Sequence, residues 1–232
     1  MASETVQSKK DKNAVKKENP AKLRRRASAK IDALLWRLKA RLESRSERAH
    51  VVGITSCCPG SGVTTTIANL AIRAADHHLG PVLLIDANSL RPRQHRQFRL
   101  NPKTGLANIL VGNLAPSEAI LQTKIIGLDL LPMGDASLLE KSRIMPEHHV
   151  ELMEWVSQNY SLVFVDLPQI EHLRHSLLIA KANDLTLVAV RSDSVPRSEV
   201  INQIEQLVSD GVDVTGTLLT RRRIYTPRIF RR

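Results

Sequence analysis

The chain has 232 residues, of which 42% are hydrophobic and 3% aromatic, and its formal net charge is +11. That length admits one sizeable core with appended ends, and the scarcity of rings points to a core of Leu, Ile, Val and Ala. No run reaches the roughly 18 unbroken apolar residues of a membrane span, and the charged N-terminus does not read as a secretory signal, so the expected address is the cytoplasm.

Charge is placed unevenly along the chain. Residues 1–50 hold fifteen Lys/Arg against six Asp/Glu, and residues 221–232 hold six Arg and no acid, which leaves the chain between them mildly acidic. The ends are suited to an anionic membrane face, an acidic partner or nucleic acid and equally to being solvated tails, while a basic globular surface is not expected. Residues 1–27 are rich in Lys, Ser, Glu and Asn and carry too few large apolar side chains to offset the entropy of ordering, so they read as a disordered basic tail. From Ser28, a plausible N-cap, Ile31, Leu34, Leu35, Leu38 and Leu42 recur at helical spacing and predict an amphipathic helix over 28–48. Packing of its apolar stripe on the domain is the favoured role; lying on a membrane or docking a subunit are the alternatives.

Residues 49–220 alternate short β-rich runs with longer amphipathic ones, the pattern of strand-helix-strand units around a parallel sheet. Strands are expected near Val51–Thr55, Val82–Asp86, Leu128–Pro132, Leu162–Asp166, Leu185–Val190 and Val214–Leu219. Helices are expected near Val63–His77, Ser117–Gln122, Pro146–Gln158, Leu173–Ala182 and Pro196–Asp210. Several strands are apolar on both faces, as a sheet covered by helices on each side requires. The fold class is α/β, a three-layer fold around a parallel sheet, and ligands of such sheets bind at the carboxyl ends of the strands.

Three strand ends carry the chemistry. The first strand runs into Cys58-Pro59-Gly60-Ser61-Gly62-Val63-Thr64-Thr65 and then a helix, a loop whose glycines let backbone N–H groups converge on an anion at the helix N-terminus. Asp86 and Asp166 each close an apolar strand, and with the Thr64 hydroxyl they form a reasonable magnesium environment, although either acid alone reads as a helix cap. Cys57 and Cys58 are adjacent and offer neither a disulfide framework nor metal spacing. The adjacent histidine pairs His77-His78 and His148-His149 define no metal site either.

The ordered motifs resemble the cytoplasmic ATPase domain of bacterial tyrosine kinases of capsule and exopolysaccharide biosynthesis, within the wider ParA/MinD group of P-loop proteins. The resemblance runs through Pro59-Gly60-Ser61-Gly62 with Thr64-Thr65-Thr66, Leu84-Ile85-Asp86-Ala87-Asn88 with Arg91-Pro92, Gly105-Leu106 to Gly112, and Val163 to Pro168. It implies phosphate binding at Gly60, Ser61, Gly62, Val63, Thr64 and Thr65, magnesium at Thr64, Asp86 and Asp166, adenine contact at Thr220, and Asp86 as the candidate catalytic acid. It also implies ATP with magnesium as the ligand, self-association, and a membrane-bound polysaccharide chain-length regulator as partner at the inner face of the cytoplasmic membrane.

This sequence departs from that pattern at its nucleotide contacts. The family's phosphate-loop lysine falls on Val63, the second acid of the second motif on Asn88, an arginine of that motif on Leu90 and the adenine-reading asparagine on Thr220. A charge pair at about 4 Å is worth ~4 kcal/mol at an effective dielectric near 20, so the lost lysine weakens triphosphate binding by roughly a thousandfold unless Arg91 or Arg93 swings in. The tyrosine cluster of the kinases is reduced to Tyr225. The expected protein is a degenerate member with weak ATP and magnesium binding. The alternatives are an active kinase or ATPase, or a partitioning protein that uses its basic ends on nucleic acid.

Overall fold

A computed structural model describes residues 20–43, 49–142, 144–192 and 195–220. Of the tails expected at 1–27 and 221–232, residues 1–19 and 221–232, with Tyr225, lie outside the described residues. Seven strands, β1 (His50–Ser56), β2 (Val82–Asp86), β3 (Leu121–Gln122), β4 (Leu128–Leu131), β5 (Leu162–Gln169), β6 (Leu185–Arg191) and β7 (Val214–Thr220), form one sheet in the order β3-β4-β2-β5-β1-β6-β7. Every neighbouring pair is parallel except β3 with β4.

Period-two alternation sorts the strand side chains onto two cores. In β2, Val82 and Leu84 join the core on one face while Leu83 and Ile85 join the other; in β5, Leu162 and Phe164 are divided from Val163 and Val165 in the same way. Helix α2 (Val63–Asp76) covers the first face through Ile67, Leu70, Ala71 and Ala74. The second face is covered by residues from α4 (Leu106–Leu110), α7 (Pro146–Asn159), α8 (Leu177–Lys181) and α9 (Arg197–Ser209). These layers bear out the three-layer expectation.

Three expected elements are corrected. Helix α1 spans Pro20–Leu42 rather than 28–48, so residues 20–27, expected in the tail, are helical and Ser28 lies inside the helix. Proline is pre-organised for a first helical position, and Ala21, Lys22, Leu23 and the arginines that follow are strong helix formers. Composition had reported only their inability to build a core. The expected helix at Ser117–Gln122 stops after one turn, α5 (Pro116–Ala119), and Leu121 then pairs antiparallel with Leu130. A tight reversal explains this, with Gly127 at φ 80 and the Thr123 hydroxyl donating to Leu128 O at 2.7 Å. The expected helix from Leu173 begins as 3-10 turns at Ile170–His172 and Arg174–Ser176, and only Leu177–Lys181 is α-helical. Periodicity also misses the short helices α3 (Gln94–Gln97), α4 and α6 (Leu138–Lys141), each under two turns.

Helix α1 spends its apolar stripe inside the molecule. Leu35, Leu38 and Leu42 are buried in the α2-face core, and Arg73 of α2 grips Asp32 of α1 through Nε at 2.6 Å and Nη2 at 3.1 Å. No helix among the described residues is long and apolar enough to cross a membrane. With Leu35 only 1% exposed, Leu35→Ala should cost about 2–5 kcal/mol, read as a lower urea midpoint. An unchanged midpoint would show that α1 lies outside the cooperative unit.

Candidate functional site

The strand order places β2, β5 and β1 side by side, so the chain segments after Asp86, Gln169 and Ser56 meet at one edge. An open cleft of about 320 Å³ lies there. One wall is the loop from Pro59 to Thr65, and the other includes Asn88, Leu90, Arg91 and Arg93.

The loop has the backbone that its glycines predict. Gly60 has φ 72 and Gly62, the N-cap of α2, has φ 82, a region in which side chains with a Cβ are strained. No atom comes within 4 Å of a Cβ built on Gly62, so conformation rather than space demands glycine there. The Ser61 side chain turns inward, its hydroxyl donating to Cys58 O at 2.7 Å, which leaves the backbone as that residue's contribution to the cleft. Val63, at the position of the expected lysine, is 8% exposed and packs in the α2-face core. The cradle is thus built of backbone, with the N-terminal end of a 14-residue helix behind it and an aliphatic side chain where a charge was expected. Burial pushes the Cys57 thiol up to about 11, so it stays an unreactive packing group.

Behind the cleft floor stand the two carboxylates. Asp86 and Asp166 face each other in parallel register on β2 and β5, and both are 0% exposed. Asp86 accepts from the backbone N–H groups of Asn88 at 3.2 Å, Arg93 at 3.0 Å and Gln94 at 3.0 Å, and so caps α3 and holds the loop leading to it. Asp166 accepts from Gln94 Nε2 at 2.7 Å, and the same amide donates to Thr64 O at 3.1 Å. Burial pushes both carboxyls above the ordinary carboxylate range, and the charge of Asp86 raises Asp166 further.

Gln94 escaped sequence reasoning because a buried glutamine one turn past an arginine-rich loop has no pattern of its own. It ties β5, the first turn of α2 and the loop after β2 into one network. Asp166 Oδ1 and Gln94 Oε1 are buried without a hydrogen-bond partner. Two orphaned oxygens beside Thr64 are hard ligands of the kind that suit magnesium or an ordered water, so the donor set fits such an ion. Thr220 ends β7 opposite Arg191 of β6 and does not line the cleft. The phosphate-loop residues and both acids are therefore brought together, and Thr220 stands apart.

Sequence totals also concealed a local basic surface. Residues 91–103 contain Arg91, Arg93, Arg96, Arg99 and Lys103 with no acid, and all five side chains are exposed. The middle of the chain is acidic in sum but not in this segment.

A parallel sheet with a strand-to-helix phosphate loop and acids on the neighbouring strand ends defines a P-loop domain of the ParA/MinD type. More narrowly, the chain belongs to the family described as cellulose biosynthesis protein BcsQ, whose model matches residues 49–205. A tyrosine-protein kinase, wzc, of Salmonella typhimurium is 29% identical over 170 residues, 73% of this chain and 24% of the relative. The kinase domain of the Escherichia coli tyrosine kinase ETK superposes with a TM-score of 0.72 at 24% identity, covering 87% of this chain and 79% of that one. MinD of Pyrococcus horikoshii, solved with Mg-ADP, shares the fold with a TM-score of 0.63 at 18% identity over 74% of this chain and 70% of that one. The chain spans about a quarter of the length of the curated kinases it matches.

Two outcomes follow from the network. Gln94→Ala strands an Asp166 oxygen and the Thr64 carbonyl, and should cost about 1–3 kcal/mol in urea unfolding. Because the folded state holds the Asp166 proton above its ordinary value of 3.8, stability falls as pH rises from there toward the raised native value, at up to about 1.4 kcal/mol per pH unit. Asp166→Asn should flatten that fall, with no gain near pH 4 and the largest gain at alkaline pH.

Proposed function

We propose that this domain is a nucleotide-responsive docking component of exopolysaccharide or capsule assembly in which phosphoryl transfer is weak or absent. The observation that carries this reading is a phosphate cradle whose backbone is intact while Val63, packed in the core, occupies the place of its cation. Phosphoryl transfer depends on positioning and charge neutralisation, so a site without that cation retains recognition better than rate.

In this reading the backbone of Gly60, Ser61, Gly62, Val63, Thr64 and Thr65 holds the phosphates. Thr64 and Asp166 hold magnesium, whose contribution when bound is to neutralise phosphate charge, with Asp86 beside them. Asp86 spends its oxygens on three backbone N–H groups, which favours a structural role over that of a base. Thr220 reaches the adenine only through a rearrangement of the β7 end. The working unit is 49–220 with α1 as its flank. Its partners are a second copy of the domain and a membrane-bound polysaccharide chain-length regulator at the inner face of the membrane, with the basic ends against anionic lipid.

Calorimetric titration with ATP and magnesium, run beside Val63→Lys, tests the proposal. The expected outcome is weak binding and negligible turnover for the natural chain, with affinity raised about 10- to 1000-fold by the lysine. Tight binding with brisk turnover in the natural chain would instead establish an active ATPase or kinase.

A further inference from the structure

We infer that Arg91 and Arg93 form a substitute cation clamp, reaching the outer phosphates of a polyphosphate chain from the wall of the cleft opposite the phosphate loop. The inference deepens the nucleotide reading above and depends on it for the identity of the ligand. Both residues line the same cleft as Pro59 to Thr65. Both side chains are exposed, and among the described residues neither guanidinium meets a carboxylate or another hydrogen-bonding partner. The two acids at the end of the cleft do not neutralise them, because Asp86 and Asp166 are wholly buried and engaged with backbone N–H groups and Gln94.

The backbone that carries these arginines is already fixed. Arg93 N donates to Asp86 Oδ2 at 3.0 Å and Arg91 N donates to Asn88 Oδ1 at 3.0 Å, while the side chains stay clear of those bonds. A ligand would therefore order two side chains and not a loop, which lowers the entropy cost of engaging them. Arginine suits this position better than lysine would. Its guanidinium keeps its charge and presents a planar fork of donors to phosphate oxygens, so it can act from a cleft wall where a lysine of the loop would act from below. Val63 puts no cation at its own position in the loop.

Arg96 provides the control. It lies in the same acid-free segment and is exposed, but it does not line the cleft. Its loss would weaken long-range attraction about as much as the loss of either cleft arginine, whereas it would remove no direct contact.

The experiment uses the full chain and titrates ATP, ADP and inorganic tripolyphosphate, each with magnesium, by calorimetry at two salt concentrations. Arg91→Ala/Arg93→Ala should weaken ATP and tripolyphosphate about tenfold or more and ADP less, with unfolding midpoints unchanged. Arg96→Ala should stay within about twofold. Val63→Lys should improve ATP binding more in the double-arginine background than in the natural chain, because the two cations serve the same phosphates. Equal ATP affinity in the natural and double-arginine proteins, or an equal loss with Arg96→Ala, would overturn the clamp and leave the nucleotide reading standing. Tripolyphosphate binding that needs both arginines, without ATP binding, would keep the clamp and overturn the nucleotide reading. Failure of the natural chain to bind any of the three would overturn both.

Discussion

The site depends on the in-register meeting of Asp86, the last residue of β2, with Asp166 of the adjacent parallel strand β5. Two carboxyls side by side away from water are unfavourable, and each is held by donors brought from elsewhere. Three backbone N–H groups serve Asp86 and the Gln94 amide serves Asp166. Those donors belong to the loop and short helix that follow β2, so stabilising the acids also fixes one wall of the cleft. Gln94 extends the constraint to the other wall through the Thr64 carbonyl in the first turn of α2.

Charge in this cleft is distributed differently from the pattern that the kinase resemblance implies. A lysine in the loop would point a cation at phosphate from the floor, but Val63 joins Ile67 and Ala68 in the core and reinforces the seat of α2. Among the residues that line the cleft, the positive groups are the first turn of α2 and the arginines on the opposite wall. Such an arrangement favours holding an anion over accelerating its chemistry, because the helix end and the exposed arginines face solvent, whereas catalysis needs charge held in a dry, preorganised site.

Helix α1 illustrates how one sequence pattern can have different destinations. Its stripe of Ile31, Leu34, Leu35, Leu38 and Leu42 would serve a membrane face or a subunit equally well when read alone. The packing against α2 and the Arg73 grip on Asp32 commit that stripe to the domain. What remains exposed on α1 includes Trp36, with Lys39 over its ring at 5.5 Å.

Local signals in the sequence determined six of the seven strands, the phosphate loop and the acids at Asp86 and Asp166. Apolar alternation, glycines that tolerate positive φ and a polar residue closing an apolar run are each written within a few neighbouring positions. The start of α1 at Pro20 was also local, but low hydrophobicity masked helix propensity. Tertiary structure alone decided the rest. The antiparallel pairing of Leu121 with Leu130, the burial of Val63, the bridge made by Gln94 and the approach of Arg91 and Arg93 to the loop all depend on which strands become neighbours. Sheet order brings residues tens of positions apart into contact, and no spacing along the chain encodes that proximity.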